Sequence, residues 1–341
     1  MELTTFHRWA DAFRSFACST TDPEEPRMSD QFKVAAVQAA PVFLNLEASI
    51  DKAISLMGEA ARQGAQLVVF PEAFIPAYPL WVWFIPAGET HPLRELYSIL
   101  HSNSVSIPGP QVSRLAEAAG DLKVNVVMGV NEVNTESSGS SLYNSLVYLG
   151  SNGRILGKHR KLVPTGGERL VWAQAASSDL EVYDLGFAKV GGLICWENYM
   201  PLARHTLTAK GQHIHCAPTW DRGEPWISSM RHIAKEGRCV VVSSCQYFTM
   251  SDIPDELSFK SKYLNHIDGV INPGKSVIVD PDGKIVAGPA EQGEEILYAE
   301  FNLAQLIGPR WQLDTAGHYS RPDVFDLKVV RAPRPQLDES N

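Results

Sequence analysis

The sequence predicts an α/β protein, a four-layer α-β-β-α sandwich in which two facing sheets are covered by outer helices. Short apolar strands alternate with amphipathic helices in both halves of the chain, although no residue-level repeat relates the halves. Of the 341 residues, 44% are hydrophobic and 20% are charged, which is enough apolar material for one large core. We therefore expect a single domain over residues 29–330, preceded by an extension over 1–28 and followed by a tail over 331–341.

The N-terminal extension has the pattern of an appendage. Phe6, Trp9, Phe13 and Phe16 would share one face of a short amphipathic helix, and a proline-containing stretch follows. Its acidic residues argue against a transit peptide, and it has no apolar core typical of a secretion signal. We expect this segment to be dispensable for chemistry, with packing on a partner subunit as the alternative, and Met28 is a candidate translation start.

The first half of the globular chain predicts a βαβ unit followed by a hairpin. In chain order we expect a strand over 32–40, a helix over 46–63, strands over 66–70 and 123–130 separated by a helix over 111–120, and a hairpin over 142–158. Gly64 is typical of a residue that ends a helix, and Asn152-Gly153 is typical of a hairpin turn. Residues 91–106 are interpreted as a surface insertion.

The second half repeats the alternation of strands and helices. We expect a strand pair over 180–185 and 189–194, a helix over 200–210, a strand over 213–217, a helix over 225–236, a strand over 239–244, a hairpin over 276–287 and a last strand over 296–301. The turn Pro281-Asp282-Gly283 supports the late hairpin. Together the two halves supply the strands and covering helices of the predicted sandwich.

Charge and cysteine content exclude several classes of protein. The net charge is −9, which disfavours binding to nucleic acid and to anionic membranes. The apolar stretch 67–87 is long enough to span a bilayer, but it contains Glu72 and four prolines, so we predict no membrane segment. Five unevenly spaced cysteines do not form a disulfide framework and favour a reducing, cytoplasmic setting.

Three predicted strands end next to a reactive residue. Glu72 follows the strand over 66–70, Lys161 ends a basic run after the hairpin, and Cys195 follows a strand that contains two glycines. Because ligands in open α/β folds bind beyond the carboxyl ends of strands, these three side chains are expected to converge on one pocket.

Each of these residues also has an ordinary structural interpretation. Cys195 at a strand-to-helix turn would be favoured as a thiolate by backbone N–H groups and the helix dipole, but an inert core cysteine is the alternative. Burial would raise the pKa of Glu72 towards the range of a general base, whereas a salt-bridged structural acid would leave it unreactive. Considered in isolation, Lys161 is typical of a solvent-exposed turn. The cysteines at 216, 239 and 245 are expected to be ordinary core residues.

A metal site is a further alternative. His213 and His215 would lie on one face of a strand, a spacing that permits chelation. No third ligand is obvious nearby, because Cys216 points to the other face. This pair would suit a metal-dependent hydrolase, which is a different class of enzyme.

Several segments together resemble the nitrilase superfamily of carbon–nitrogen hydrolases. These are PEAF around Glu72, KHRKLVPTGGER around Lys161, CWENYMPLAR from Cys195, HCAPTW at 215–220 and DTAGHYSRPD at 314–323. Glu72 and Lys161 are 89 residues apart, and Lys161 and Cys195 are 34 apart, as in the family. The resemblance extends over residues 32–330.

The resemblance implies a Glu72–Lys161–Cys195 triad and the fold already predicted. It also implies a second active-site glutamate at Glu168 and, from Trp196 after the cysteine, the nitrilase branch. A nitrile would be converted with two waters to the carboxylic acid and ammonia through a thioimidate and a thioester on Cys195. The resemblance implies that no metal or organic cofactor is required.

The same resemblance leaves related activities and the assembly open. Cyanide hydration or dihydration, and an amidase or carbamoylase reaction, would use the same triad. Trp196, Tyr199 and Trp172 are expected to form pocket walls. A homodimer across the helices over 200–210 and 225–236 is implied, with further joining into spirals in doubt because the tail is short.

Overall fold

The computed structural model describes residues 31–175, 179–291 and 293–330 of the chain. The predicted helix around Phe6–Phe16 and the predicted tail over 331–341 lie outside the described residues. The strands are β1 (Gln31–Gln38), β2 (Leu67–Val69), β3 (Asn125–Val133), β4 (Leu142–Leu149), β5 (Ile155–Arg160), β6 (Tyr183–Asp184), β7 (Lys189–Gly192), β8 (Ile214–Cys216), β9 (Val240–Ser243), β10 (Tyr247–Thr249), β11 (Val270–Pro273), β12 (Val277–Val279), β13 (Ile285–Ala287) and β14 (Glu295–Asn302). The α-helices are α1 (Leu46–Arg62), α2 (Thr90–Ser102), α3 (Pro110–Leu122), α4 (Pro201–Ala209), α5 (Glu224–Gly237), α6 (Ser258–Tyr263) and α7 (Ala304–Gln312).

The strands form two six-stranded sheets built on the same plan. The first has the order β14-β1-β2-β3-β4-β5, and the second has the order β13-β12-β9-β8-β7-β6. Each contains three parallel strands, β1–β2–β3 or β7–β8–β9, flanked by antiparallel strands. Strands β10 and β11 form a separate antiparallel pair.

A continuous apolar core joins the two sheets. Val34 and Val127 of the first sheet belong to the same fully buried cluster as Ile214 and Val242 of the second. Such burial stabilises the packing by roughly 25 cal/mol per Å² of apolar surface removed from water.

Helices cover both outer faces. Ile50, Met57 and Leu115 of α1 and α3 pack on the first sheet, and Trp226 and Met230 of α5 pack on the second. The predicted α-β-β-α sandwich is therefore confirmed.

One segment contains a helix that the sequence pattern did not predict. Residues 91–106, expected to be a surface insertion, hold most of helix α2, which lies at the surface and buries Leu96 and Leu100 in an apolar cluster. Only these two of its thirteen residues are buried, so its periodic signal is weak. Strands β10 and β11 and helices α6 and α7 were also not predicted, since each is short or carries few apolar residues.

The apolar stretch over 67–87 contains β2 and a short 3₁₀ helix, Leu80–Trp83. Among the described residues, no helix combines the length and the hydropathy needed to cross a membrane.

Candidate active site

Four of the residues predicted to carry chemistry meet beyond the carboxyl ends of strands from both sheets. Glu72 follows β2, Lys161 directly follows β5, Cys195 follows β7, and Glu168 lies in the 3₁₀ helix Gly166–Leu170. One oxygen each of Glu72 and Glu168 and the sulfur of Cys195 lie within 4.8 Å of one another, and all three residues are buried. The expected convergence of these strand ends therefore occurs.

The Lys161 ammonium is held between the two carboxylates. Its Nζ lies 2.8 Å from Glu72 Oε1 and 2.6 Å from Glu168 Oε2, and its side chain is fully buried. Burial alone would lower the pKa of Lys161, but the carboxylates of Glu72 and Glu168 outweigh it and raise the pKa. Lys161 is therefore a fixed cation rather than a proton donor.

Glu72 has one occupied oxygen and one open oxygen. Its Oε1 accepts hydrogen bonds from Lys161 and, at 2.8 Å, from Asn144 Nδ2. Its Oε2 is buried and has no hydrogen-bond partner among the described residues. Burial, reinforced by Glu168 and opposed by Lys161, raises the pKa of Glu72 to about 7. The open oxygen can therefore accept a proton at neutral pH.

Glu168 is held by donors on both oxygens. Tyr78 donates its hydroxyl hydrogen to Oε1 at 2.8 Å, while Lys161 and the backbone N–H of Thr165 donate to Oε2, the latter at 2.7 Å. With both oxygens occupied, this carboxylate fixes the position of the ammonium.

Cys195 occupies an unusual backbone position. It begins the 3₁₀ helix Cys195–Tyr199 with φ of +52°, in the left-handed region that costs an L-residue roughly 1 kcal/mol. The turn is secured by the Cys195 N–H, which donates to Pro218 O at 2.8 Å, and by Asn198 Nδ2, which donates to Cys195 O at 2.9 Å. Gly192 is needed beneath it, because a Cβ there would lie 2.7 Å from Cys216 O.

The protonation state of Cys195 differs from the expectation. Burial raises the pKa of the Cys195 thiol well above its ordinary value, Glu72 adds to this effect, and Lys161 opposes it. The predicted stabilising α-helix does not start at the cysteine, because α4 begins only at Pro201. The resting sulfur is therefore a thiol, and its proton must be removed by a base.

Glu197 is a buried carboxylate next to the site that sequence reasoning did not single out. Its carboxylate accepts hydrogen bonds at 2.7 Å from the backbone N–H groups of Leu162 and Ile194, the neighbours of Lys161 and Cys195. It also lies 3.0 Å from His159 Nε2. Burial by itself would lower the pKa of His159, but the neighbouring Glu197 carboxylate outweighs burial and raises this pKa above its ordinary value. The sequence carries one signal for this role. Glu197 lies three residues after Ile194, which precedes the 3₁₀ helix, and a glutamate at this spacing is typical of a residue that caps the start of a helix.

The two histidines considered as metal ligands have other partners. His215 is buried, with Nε2 2.7 Å from Asn198 Oδ1 and Nδ1 3.3 Å from Gln212 Oε1. Burial, with the nearby Arg204 charge, lowers the pKa of His215 to about 3, so it is neutral. His213 accepts a backbone hydrogen bond from Lys189. Neither histidine belongs to the acidic cluster around Cys195, and the cation position in that cluster is taken by Lys161 Nζ.

A cavity of about 600 Å³ opens onto Cys195 and Glu168. Its walls are mainly aromatic and aliphatic, and include Tyr78, Trp83, Trp196, Trp220, Ile267 and Ile271. The indole N–H of Trp196 donates to Asp221 Oδ2 at 2.8 Å, and the rings of Tyr78 and Trp220 stack at 4.4 Å. Trp196 therefore lies where the sequence predicted a wall residue, whereas Tyr78 and Trp220 were not predicted.

The other two predicted wall residues do not line this cavity. Trp172 lies behind Tyr78, with ring centroids 5.7 Å apart, and its indole N–H donates to Asn131 Oδ1. Tyr199 packs against Trp196 and Trp226. Both lie close to catalytic candidates in sequence, but the 3₁₀ turns that carry those candidates direct these rings elsewhere.

Comparisons with known proteins agree with this geometry. The model of the family described as "Carbon-nitrogen hydrolase" matches residues 33–308. The chain is 42% identical over 306 residues to an aliphatic nitrilase of Sinorhizobium fredii (strain HH103), covering 89% of this chain and 97% of that protein. It is 42% identical over 319 residues to the bifunctional nitrilase/nitrile hydratase NIT4A of Lupinus angustifolius, covering 91% of this chain and 90% of that protein.

A solved structure supports the fold. The crystal structure of Saccharomyces cerevisiae Nit3, a member of branch 10 of the nitrilase superfamily, superposes with a TM-score of 0.66 at 23% identity. The superposition covers 85% of this chain and 97% of that one. By its fold, its site and its similar relatives, the chain belongs to the carbon–nitrogen hydrolase family.

Proposed function

We propose that the protein is a nitrilase, which hydrolyses an organic nitrile to the carboxylic acid and ammonia through covalent intermediates on Cys195. The observation that carries the proposal is the open Glu72 Oε2 in a buried cluster with the Cys195 thiol and the Lys161 ammonium. The curated relatives named above are nitrilases, which supports a nitrile as the substrate.

The first step forms the covalent bond. Glu72 Oε2 takes the proton from Cys195, and the sulfur attacks the nitrile carbon as one C–N π bond becomes a lone pair on nitrogen. That nitrogen takes the proton back from Glu72, which gives a neutral thioimidate. The fixed charge of Lys161 stabilises the negative charge that develops during attack.

Two waters complete the reaction. Glu72 deprotonates the first water as it adds to the thioimidate carbon, and then passes that proton to the nitrogen. The hydroxyl of the tetrahedral intermediate gives its own proton to the same nitrogen, which leaves as ammonia as the C=O bond of a thioester forms. The second water, deprotonated by Glu72 again, adds to the thioester. Collapse then releases the carboxylic acid and returns the proton to Cys195. Glu168 acts through Lys161, which it positions.

The cavity favours an organic nitrile over cyanide. Hydrogen cyanide has two heavy atoms, whereas the cavity measures about 600 Å³ and is lined largely by apolar rings. Burial of apolar substrate surface contributes binding energy only when a substituent fills such a space. We therefore propose a nitrile with an apolar, aromatic-sized substituent.

We also propose an assembly and a cellular location, each from a single kind of observation. A homodimer across α4 and α5 is supported by Leu202 of α4, whose side chain is exposed on the outer layer. A reducing, cytoplasmic location is supported by Cys195, which must be a free thiol to act, and by the free state of the other described cysteines.

Product analysis with a Cys195 variant tests the function. We expect the parent enzyme to release ammonia and carboxylic acid from a panel of aliphatic, aromatic and arylaceto nitriles, with amide as a minor product on chromatography. Cys195→Ala should abolish turnover and keep the fold, and Cys216→Ala, which changes a buried cysteine outside the cluster, is the matched control. Residual activity above a few per cent in Cys195→Ala would refute covalent catalysis, and amide as the dominant product would make the protein a hydratase.

A further inference from the structure

The Cys195 sulfur has a second polar neighbour besides the charged cluster. The hydroxyl of Thr219 donates to Cys195 Sγ at 3.3 Å, and both residues are buried. Thr219 follows β8, and its backbone N–H donates to Ser244 O at 2.9 Å, which fixes its position at the end of the second sheet. A hydroxyl in this place contacts the reacting atom itself.

The orientation of this hydroxyl is determined by its other partner. The backbone N–H of Asp221 donates to Thr219 Oγ1 at 2.8 Å. Oγ1 is thus already an acceptor on one side, and its own hydrogen is directed at the sulfur. The S–H hydrogen of Cys195 is left to face another acceptor, and the open Oε2 of Glu72 is available for it.

We propose that Thr219 is a further catalytic residue, whose hydroxyl donates a hydrogen bond to the Cys195 thiolate each time the sulfur carries the electron pair. This proposal rests on the proposed function, in which Cys195 is the nucleophile. Hydrogen bonds to charged groups are stronger than those to neutral groups, so the bond strengthens when the thiol becomes a thiolate.

The sulfur carries the electron pair at three points in the reaction. The first is the transfer of its proton to Glu72. The second is the release of acid, when the C–S bond of the second tetrahedral intermediate breaks and sulfur keeps the pair. The third is a side reaction, in which the first tetrahedral intermediate breaks its C–S bond instead of its C–N bond and releases amide. Thr219 therefore accelerates turnover and also favours the amide branch over ammonia loss.

Alkylation of Cys195 by iodoacetamide measures the thiolate without any nitrile. The extent of modification at Cys195 is followed by mass spectrometry across pH in the parent, Thr219→Val and Thr219→Ser. Valine matches the shape of threonine but lacks the hydroxyl, whereas serine keeps it. We expect Thr219→Val to raise the pH midpoint of alkylation by about one unit, the size expected for losing one hydrogen bond to a charged atom. Thr219→Ser should stay near the parent.

Turnover and product ratio provide a second readout. We expect Thr219→Val to lower kcat by about 10- to 100-fold, with a smaller amide fraction, and Thr219→Ser to restore most of both. Thr206→Val is the matched control, since it removes a buried hydroxyl that bonds to Leu202 O in α4. It should leave both readouts unchanged.

Two results would overturn the proposal. The first is a Thr219→Val variant whose alkylation midpoint lies within about 0.3 pH unit of the parent and whose kcat lies within about twofold of it. The second is a Thr219→Ser variant that is as impaired as Thr219→Val. If Thr219→Val does not fold by circular dichroism, Thr219→Ala takes its place in the same comparison. Failure of the proposed function shows itself differently, as turnover by Cys195→Ala, while the alkylation midpoints remain measurable.

Discussion

At the level of single residues, the first proton transfer moves a negative charge from Glu72 to Cys195 and leaves the total charge of the site unchanged. In the resting cluster, two carboxylates and one ammonium surround a neutral thiol. Moving the proton from Cys195 to Glu72 neutralises one carboxylate as it creates one thiolate. The net charge of the buried cluster is therefore the same before and after transfer, and no additional net charge has to be kept out of water.

The titration of Glu72 should set the acid limb of the pH profile. Its pKa is raised to about 7 by burial, and only the ionised form accepts the thiol proton. We expect kcat/KM to rise tenfold per pH unit below pH 7 and to level off above it. Glu72→Gln should lower the rate at least ~100-fold and abolish this limb. A limb centred near pH 4.5, the ordinary value for a glutamate, would contradict the assignment.

The same raised pKa has the opposite effect on stability. Between about pH 4.5 and pH 7, folded Glu72 binds a proton that the unfolded chain does not hold. Its contribution to stability is therefore present at low pH and is lost as pH rises through 7. Activity at neutral pH is gained at the expense of stability at this residue.

Sequence reasoning located the charged residues of the site better than its walls. Glu72, Lys161 and Cys195 could be placed because each follows a strand. The ends of these strands lie close together in the fold, so the residues that follow them share one pocket. Trp172 and Tyr199 were misplaced because the direction of a ring leaving a 3₁₀ turn depends on neighbours distant in sequence. Thr219 lies in the segment HCAPTW at 215–220, but its contact with the Cys195 sulfur depends on how β7 and β8 pair.

At the level of elements, Glu197 joins segments from the two sheets. Leu162 follows β5 of the first sheet, and Ile194 follows β7 of the second. One carboxylate therefore fixes the relative position of the segments that carry Lys161 and Cys195. His159, at the end of β5, supplies the third donor.

We expect Glu197→Gln to destabilise the fold by about 3 kcal/mol, the scale for breaking a buried charged network. The amide has only one acceptor oxygen for two backbone donors, so a buried N–H loses its partner. Urea denaturation followed by tryptophan fluorescence measures the change. Glu47→Gln is the matched control, because Glu47 forms an exposed pair with Arg114 and should cost less than about 1 kcal/mol. Equal, small shifts in the two variants would contradict the clamping role.

Element prediction succeeded where the chain carries strong local signals. The hairpin β4–β5 follows from Asn152-Gly153, and α1 follows from its regular apolar spacing. Helix α2 was missed because most of its residues face solvent. The strand order within each sheet could not be read from sequence, since it arises from contacts between distant segments.

At the level of the whole molecule, exposed apolar side chains lie on the helix layer across which we propose that copies of the chain associate. Leu202 of α4 is 66% exposed, and Phe325 in the segment after α7 is 75% exposed. Both line the same surface depression. Apolar side chains clustered on an outer face are typical of an interaction surface.

Light scattering should therefore find a dimer or a larger assembly at micromolar concentration. We expect Leu202→Glu to shift the assembly towards monomer, because a buried, unpaired carboxylate at an interface is costly. Val42→Glu is the control, since Val42 is partly exposed just before α1 on the other helix layer and should leave the mass unchanged. A monomeric parent protein would contradict the proposed assembly.

The division of the site between two sheets has a consequence for newly made or damaged copies of the enzyme. Glu72 and Lys161 follow strands of the first sheet, whereas Cys195 and Thr219 follow strands of the second. The first sheet is itself completed by β14, which pairs with β1 from the far end of the domain. In a copy whose two sheets are not packed together, Cys195 therefore has no base beside it. Transfer of its proton to Glu72, and with it the attack on substrate, requires the completed fold.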